Sequence, residues 1–458
     1  MIPILETPNA SYLLTIAVLA IALLLLLIIK FKVHAFVSLT LVSLATAIST
    51  GVSFEKVVPT IMSSFASTLA SVTLLVGLGT MIGKILEASG GAKVLAESLI
   101  KRFGEHRAPF ALGVASLLFG FPIFFDAGLI VMAPIIFSVA KHLGGSILKY
   151  ALPSSGAFAV MHAFLPPHPG PVAAAELLNV NIGLLVIVGL AVALPTWYIG
   201  AYLFGLYKGK TLNISLPITL FNKEELACDT KSPKFATVLS ILLLPIILIF
   251  MDTGLNTLSV AGVVDGSMPI IKFLKMLGNT PIALLITLIS LLILFSKDFG
   301  KAKLEKLCND SLAPICAVIL VTGAGGMFGG VLRACGIGSA LAQVLSNSGM
   351  PVIVAAFVIS ACLRVAQGSA TVALTTTAAL IAPAVAATSG LSELDLCFIV
   401  ISIAGGATVL SHFNDSGFWL VSRLFGLDEK TTFKTWTVMV TILGSLAFLI
   451  VLLLSLIF

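Results

Sequence analysis

Charged residues are scarce in this sequence: Asp, Glu, Lys and Arg make up 10% of its 458 residues, whereas hydrophobic residues make up 59%. A soluble domain carries about 25% charged residues, so this chain has too few to cover a surface that faces water. Runs of roughly 20 apolar residues, long enough to span a bilayer, recur from residues 12–29 to residues 437–458. We therefore predict an all-α, polytopic membrane protein.

The sequence also lacks the motifs of several common sites. It contains no G-x-x-x-x-G-K-[S/T] motif for nucleotide phosphates and no H-E-x-x-H motif for zinc. Its six cysteines form no C-x-x-C pair and lie mostly in or beside apolar segments, which is typical of small hydrophobic residues. We expect no cofactor and no metal site, so any uphill transport must draw on an ion gradient or on a partner.

The net charge of +6 indicates membrane orientation here, and we expect no nucleic-acid partner. Lys30 and Lys32 follow the first apolar run, and no basic region of a cleaved signal peptide precedes it. Because basic loops stay in the cytoplasm, we expect the N-terminus outside and the loops at residues 101–107, 207–234 and 296–310 inside.

Two parts of the chain resemble each other. The segment GLGTMIGKILEASGGAKVLAESL begins at Gly77, and GAGGMFGGVLRACGIGSALAQVL begins at Gly323 with its glycines in the same order. Further along, SGAFAVMHAF aligns with GGATVLSHFN, which places His162 opposite His412. A chance match between apolar helices is the alternative, but two matching blocks in the same order favour an internal duplication.

The basic loops predict that the two copies cross the membrane in opposite directions, as inverted repeats of secondary transporters do. The predicted first repeat covers residues 1–207, with a re-entrant hairpin near 109–141 and a broken helix near 150–180. A cytoplasmic linker covers 208–234. The second repeat covers 235–458, with a hairpin near 351–388 and a broken helix near 394–425.

Polar residues, prolines and glycines interrupt the apolar pattern at residues 119–128, 162–171, 364–371 and 411–417. Non-helical backbone at membrane depth is tolerated only where protein or a watery cavity satisfies it. Helix N-termini at such breaks suit an anionic carboxylate, and polar side chains suit hydroxyl groups. The predicted substrate-binding residues are Gly120, Pro122, Asp126, His162, Pro167, His168, Gln367, Gly368, Ser369, Thr371, Ser411, His412, Asn414, Asp415 and Ser416.

Several of these residues have structural alternatives. An ionisable residue within a membrane span points to function, but Asp126 and Asp415 could also be helix N-caps. Gly368, Ser369 and Thr371 could serve helix packing. Arg364 could neutralise a substrate carboxylate or extend its side chain to the interface. The candidates for carrying a coupling proton, each of which could also be structural, are Asp126, His162, His168, His412 and Asp415.

Four segments resemble the hallmark motifs of the gluconate permease (GntP) family: FGFPIFFDAGLIVMAPI, LPPHPGPVAAA, RVAQGSATVALTTTAALIAP and SHFNDSGFWL. The resemblance covers essentially the whole chain. It implies import of gluconate or related hydroxy acids by proton symport across the bacterial inner membrane; some members carry D-serine. It also implies the inverted repeats, re-entrant hairpins, elevator-type motion and dimers of the ion transporter superfamily.

We therefore expect a secondary active transporter of a small anionic or zwitterionic hydroxylated substrate, embedded in the bilayer as a homodimer. Gluconate is the leading substrate, with D-serine and four-carbon sugar acids as alternatives, and sodium is an alternative to the proton. A passive channel is a further alternative. An intramembrane metal-dependent hydrolase using His162, His168, His412 and Asp415 is disfavoured, because the duplication has no obvious purpose in such an enzyme.

Overall fold

The computed structural model describes residues 9–215, 233–260, 263–337, 340, 350–412 and 415–458. Nearly all of this part of the chain is helical, and it contains no strand. Within it, nine helices are long and apolar enough to cross a membrane, which confirms the predicted all-α polytopic class. Cys228, Asn414 and most of the predicted linker lie outside the described residues.

The first half of the chain forms ten α-helices. Their bounds are α1 Ala10–Leu25, α2 Ala35–Ser49, α3 Phe54–Ala88, α4 Gly91–Phe103, α5 Ala108–Gly120, α6 Phe125–Leu143, α7 Leu148–Phe164, α8 Pro169–Leu177, α9 Ile182–Trp197 and α10 Phe204–Thr211. A π-helical turn at Tyr198–Leu203 joins α9 to α10, so that the two form one span of 30 residues.

The described part of the second half forms ten more. Their bounds are α11 Phe235–Val260, α12 Pro269–Gly278, α13 Thr280–Phe299, α14 Lys301–Ala334, α15 Val352–Gln367, α16 Ala370–Ala387, α17 Glu393–Thr408, α18 Ser416–Leu424, α19 Glu429–Thr432 and α20 Val438–Leu454. A capping box between Ser392 and Asp395 begins α17, because each side chain satisfies the other residue's backbone N–H.

The order of elements repeats along the chain. Each half has a long helix, α3 of 35 residues or α14 of 34 residues, followed by a helical hairpin and a broken helix. An offset of 246 residues aligns Gly77 with Gly323 and carries α3 onto residues 300–334, nearly the bounds of α14. The inversion across the membrane and the division at residues 207 and 235 stay predictions.

The two long helices pack against each other along a row of small residues. Gly326 of α14 lies so close to α3 that a Cβ there would come within 2.8 Å of the Thr68 Cβ and 3.0 Å of the Ser64 carbonyl oxygen. Lipid offers no hydrophobic force to join helices, so close van der Waals packing of small residues must do so. The α3–α14 pair is therefore closely packed, and α16 of the second hairpin packs against α14.

We expect Gly326→Ala to destabilise the protein by about 1–3 kcal/mol, because the added methyl group must push the two helices apart. Thermal unfolding of the protein in detergent, followed by fluorescence-detected size exclusion, would measure the loss. Gly77→Ala is the matched control, since a Cβ at Gly77 would meet no described atom within 4 Å. Equal melting temperatures for the two variants would contradict this account of the packing.

Candidate functional site

Both hairpin tips and both helix breaks meet around one cavity of about 410 Å³. The tip between α5 and α6 contributes Pro122 and Ile123, and the tip between α15 and α16 contributes Ser369. This volume lies in the range of about 300–1,000 Å³ that is typical of small-molecule sites. Residues from distant parts of the sequence therefore form one site.

Four helices begin at this cavity. The first residues of α6, α8, α16 and α18 all line it, represented by Phe125, Pro169, Ala370 and Ser416. The unpaired N–H groups and positive dipole ends at these termini favour a negative charge in the cavity. Glycine or proline follows the preceding helix at three of the four interruptions, whereas the fourth, between α17 and α18, contains neither and is interrupted by polar residues.

The structure places the predicted residues in two groups. Those that line the cavity are Pro122, Asp126, His162, Ser369, Thr371, Asp415 and Ser416. Three others lie in a second layer, where Gly120, Gly368 and Ser411 bond to side chains at the interruptions. Pro167 packs near Gly79 in α3, and Gln367 is the last residue of α15. His412 is half-buried, and its carbonyl oxygen accepts the Asp415 N–H at 2.9 Å.

A buried ion pair connects the second hairpin tip to the second helix break. Arg364 of α15 donates through Nη2 to Oδ2 of Asp415 and through Nη1 to the carbonyl oxygen of Gly368. The two side chains are 4% and 11% exposed. The guanidinium therefore does not reach the membrane interface, and that alternative for Arg364 is wrong.

Further hydrogen bonds hold the aspartate of this pair in place. Ser411 Oγ donates to Asp415 Oδ2, and the Gly417 N–H donates to Oδ1 at 3.1 Å. Ser411 Oγ in turn accepts from the indole Nε1 of Trp436 at 2.7 Å. Asp415 is thus both the N-cap of α18 and a member of an ion pair, so capping and a role in the site coincide.

Asp126 differs from Asp415 in its surroundings. It occupies the first turn of α6, where Phe124 is the N-cap residue and no side chain makes a capping bond. The N-cap alternative for Asp126 is therefore wrong. The residue is solvent-exposed inside the cavity, so its carboxylate faces the same space as Asp415 and is available to a ligand.

Two histidine rings meet edge to face beside the cavity. The rings of His162 and His168 have centroids 4.8 Å apart, and the Phe124 ring lies 5.7 Å from the first and 5.9 Å from the second. His168 Nε2 donates to the Gly120 carbonyl at 2.9 Å, so this histidine joins the first helix break to the first hairpin tip. His162 Nδ1 has no hydrogen-bond partner within the described ranges.

Part of the cavity wall consists of residues that were not predicted from the sequence. Lys84 and Glu87 of α3 form an ion pair of 3.0 Å, and Asp310 and Ser311 of α14 lie on the same cavity. A lysine and a glutamate three residues apart at the end of an apolar span were the signal that could have identified this segment. These parts of α3 and α14 adjoin the basic loops at residues 101–107 and 296–310, so we expect the cavity to open toward the cytoplasm.

Thiol labelling would test that opening. In a background without native cysteines, we expect Thr371→Cys to react with a membrane-impermeant reagent added from the cytoplasmic side, because Thr371 lines the cavity. Thr377→Cys is the matched control on the same helix and should stay unlabelled, since Thr377 is fully buried. Labelling of Thr371→Cys from the opposite side alone would mean that the mouth faces outward.

Comparison with known proteins gives a consistent picture. A family model described as "GntP family permease" matches residues 12–457. The chain is 38% identical to the inner membrane permease YgbN of Escherichia coli K12, an alignment that covers 96% of this chain and 97% of that protein. It is 35% identical to a gluconate permease of Pseudomonas aeruginosa, with 98% of each chain covered.

A solved structure shares the fold. The YdaH transporter of Alcanivorax borkumensis superimposes with a TM-score of 0.62, covering 92% of this chain and 98% of that one. Sequence identity is 14%, so this likeness concerns architecture alone.

Proposed function

This chain belongs to the GntP family of permeases, and from that premise we propose that it imports gluconate or a related small hydroxy monocarboxylate by proton symport. It is a multi-pass membrane protein and not an enzyme, since its relatives are permeases and transporters. The relative from Pseudomonas aeruginosa is a gluconate permease, which makes gluconate the leading substrate.

The convergence of four helix N-termini on one cavity carries this proposal. These termini and the guanidinium of Arg364 supply the positive potential that a carboxylate requires. Hydroxyl groups of Ser369, Thr371 and Ser416 line the same cavity and suit the hydroxyl groups of a sugar acid. A ligand with one anionic end and a hydroxylated chain therefore matches the wall.

The position of the cavity supports a proposal of alternating access. The hairpins and broken helices line it on one side, and α3 and α14, a pair packed through glycine, contribute the rest of its wall. We propose that the hairpin-bearing part moves against this pair in an elevator-type motion, within a homodimer in the inner membrane. A passive channel would need no such enclosed site, and uphill accumulation separates the two mechanisms.

Titratable groups in the cavity wall are the candidates for carrying the coupling proton. Among the groups that line the cavity, the carboxylates of Asp126 and Asp415 and the imidazole of His162 are the candidates that we propose for carrying a proton. His168 and His412 also remain candidates, although they are not among the residues that line the cavity. Sodium is the alternative ion, with backbone carbonyl groups at the helix breaks as its ligands.

Uptake into proteoliposomes would test the function. With an inward proton gradient, we expect radiolabelled gluconate to accumulate above its external concentration, and with the gradient collapsed we expect it only to equilibrate. An inward sodium gradient at constant pH should add nothing. Accumulation driven by sodium would replace the proton in this scheme, and equilibration under every gradient would identify a channel or facilitator.

Competition by unlabelled compounds in the same assay tests the substrate assignment. Unlabelled gluconate should compete with the label, and a neutral polyol of the same length should not. If gluconate neither accumulates nor competes, then the substrate assignment fails, and D-serine and four-carbon sugar acids become the candidates.

Thr371→Val should weaken gluconate binding by about 2- to 10-fold while leaving the maximal rate unchanged, because it removes one hydroxyl hydrogen bond and keeps the side-chain shape. KM and the maximal rate of uptake would measure the effect. Thr388→Val is the matched control, since Thr388 lies at the far end of the same helix, α16, outside the cavity. An equal KM for both variants would remove Thr371 from the site.

A further inference from the structure

Arg364 is a buried guanidinium in the wall of a cavity that we expect to receive an anion. Its carboxylate partner already belongs to the protein: Asp415, 51 residues further along the chain. Its Nε is buried and has no hydrogen-bond partner among the residues that the structure describes. A guanidinium presents five donors in a planar fork, and Nη1 and Nη2 each use one of theirs here, so donors remain on these two nitrogens for a second acceptor.

We propose that the carboxylate of Asp415 occupies the place of the substrate's carboxylate on Arg364, so that substrate and proton bind by one exchange. The substrate carboxylate replaces that of Asp415 on the guanidinium, and Asp415 takes up a proton as it leaves the pair. This exchange presupposes the monocarboxylate transport proposed above and assigns its substrate-anchoring and proton-coupling residues.

The contacts of Asp415 allow it to leave Arg364 without leaving its position. The Gly417 N–H reaches Oδ1, whereas Arg364 reaches Oδ2, so the capping bond does not depend on the ion pair. Ser411 also bonds to Oδ2 and is itself held by Trp436 at 2.7 Å. A protonated Asp415 therefore keeps its cap, and its new O–H has the Ser411 oxygen as a neighbouring acceptor.

Arg364 is held in place independently of Asp415 as well. Nη1 donates to the carbonyl oxygen of Gly368, a residue with a φ of 81° that ends α15 at the hairpin tip. Ser369 and Ala370, which line the cavity, follow directly and begin α16. A carboxylate on the cavity side of Arg364 thus lies near the N–H groups of that helix terminus.

Charge balance predicts how many protons accompany each substrate molecule. Arg364 and Asp415 together are neutral, so an anion that entered without a proton would leave one buried negative charge without a partner. Such an uncompensated charge is strongly unfavourable in a site of low dielectric constant. When Asp415 accepts one proton, the guanidinium and the substrate carboxylate form the neutral pair, so one proton accompanies each monocarboxylate.

Other titratable groups face this pair and must be distinguished from Asp415. They are Asp126 on α6, His162 on α7, Lys84 and Glu87 on α3, Asp310 on α14, and His412 beside the second helix break. Asp126 and His162 are the groups whose charge changes would most resemble the proposed exchange, since both line the same cavity as Asp415 and are themselves candidate proton carriers. Asp126→Asn and His162→Gln therefore belong in the test.

The experiment measures protons together with binding. Purified wild-type protein in weak buffer with a pH indicator is mixed with gluconate, whose carboxyl group stays ionised above about pH 5. We expect the protein to take up one proton for each gluconate bound. Gluconate affinity should accordingly rise as pH falls from about 8 to about 5, by up to about tenfold per pH unit, because binding is linked to one proton.

Variants of Asp415 and Arg364 test the role proposed for each residue. Asp415→Asn mimics the protonated aspartate, so it should bind gluconate without proton uptake and with an affinity independent of pH. In proteoliposomes it should exchange internal for external gluconate but no longer accumulate it from a proton gradient. Arg364→Gln should bind gluconate about 10- to 100-fold more weakly than wild type, through loss of a charged hydrogen-bonding partner.

Matched controls keep these results interpretable. Asp428→Asn and Arg102→Gln make the same chemical changes at exposed positions away from the cavity, and both should retain proton uptake and affinity. If Asp415→Asn does not fold, because it leaves Arg364 buried and unpaired, then Asp415→Glu keeps an ionisable carboxyl and should retain proton uptake. The double variant Arg364→Gln/Asp415→Asn should fold and bind gluconate weakly without taking up protons.

Two results would overturn the exchange: gluconate bound by wild type without proton uptake, or proton uptake retained by Asp415→Asn. If Asp126→Asn or His162→Gln loses proton uptake while Asp415→Asn retains it, then the substituted residue, and not Asp415, accepts the proton. Failure of the proposed function looks different, because wild type would then bind no gluconate at all. D-Serine and four-carbon sugar acids would then be tried in the same proton measurement, so the exchange stays testable with whichever carboxylate binds.

Discussion

The structure depends on one constraint: backbone N–H and C=O groups released where a helix breaks inside a membrane must find partners within the protein. In the described part of the chain, the two hairpin tips and the two broken helices share one cavity. Grouping them allows each break to supply partners for another, and leaves the remaining donors directed at the cavity. The same arrangement that satisfies the backbone therefore creates the site.

The two halves satisfy this constraint with different chemistry at corresponding places. In the first half, His168 of the broken helix donates to the Gly120 carbonyl at the hairpin tip. In the second half, Arg364 at the hairpin tip donates to Gly368 and to Asp415 of the broken helix. The first half thus links its helix break to its hairpin tip through a histidine–carbonyl hydrogen bond, and the second half does so through an ion pair. We attribute substrate anchoring to the second half, because there the buried guanidinium of Arg364 meets a carboxylate in the cavity wall.

Packing elsewhere gives these links a firm support. Gly326 brings α14 close to α3, and this pair carries the charged wall segment of Lys84, Glu87 and Asp310. Because the membrane interior lacks water, helices associate there through small residues that allow close packing, and polar residues are confined to the cavity. This chain contains both, with glycine at the α3–α14 contact and charged residues at the cavity wall.

The sequence by itself determined the membrane class, the positions of the helix breaks and part of the cavity wall, because hydrophobic length, proline, glycine and intramembrane charge act locally. Seven of its predicted site residues line the cavity. Only the tertiary structure decided that Arg364 pairs with Asp415, that Asp126 caps no helix, and that Lys84, Glu87 and Asp310 belong to the wall. Those facts depend on helices far apart in the chain packing side by side, which no local pattern records.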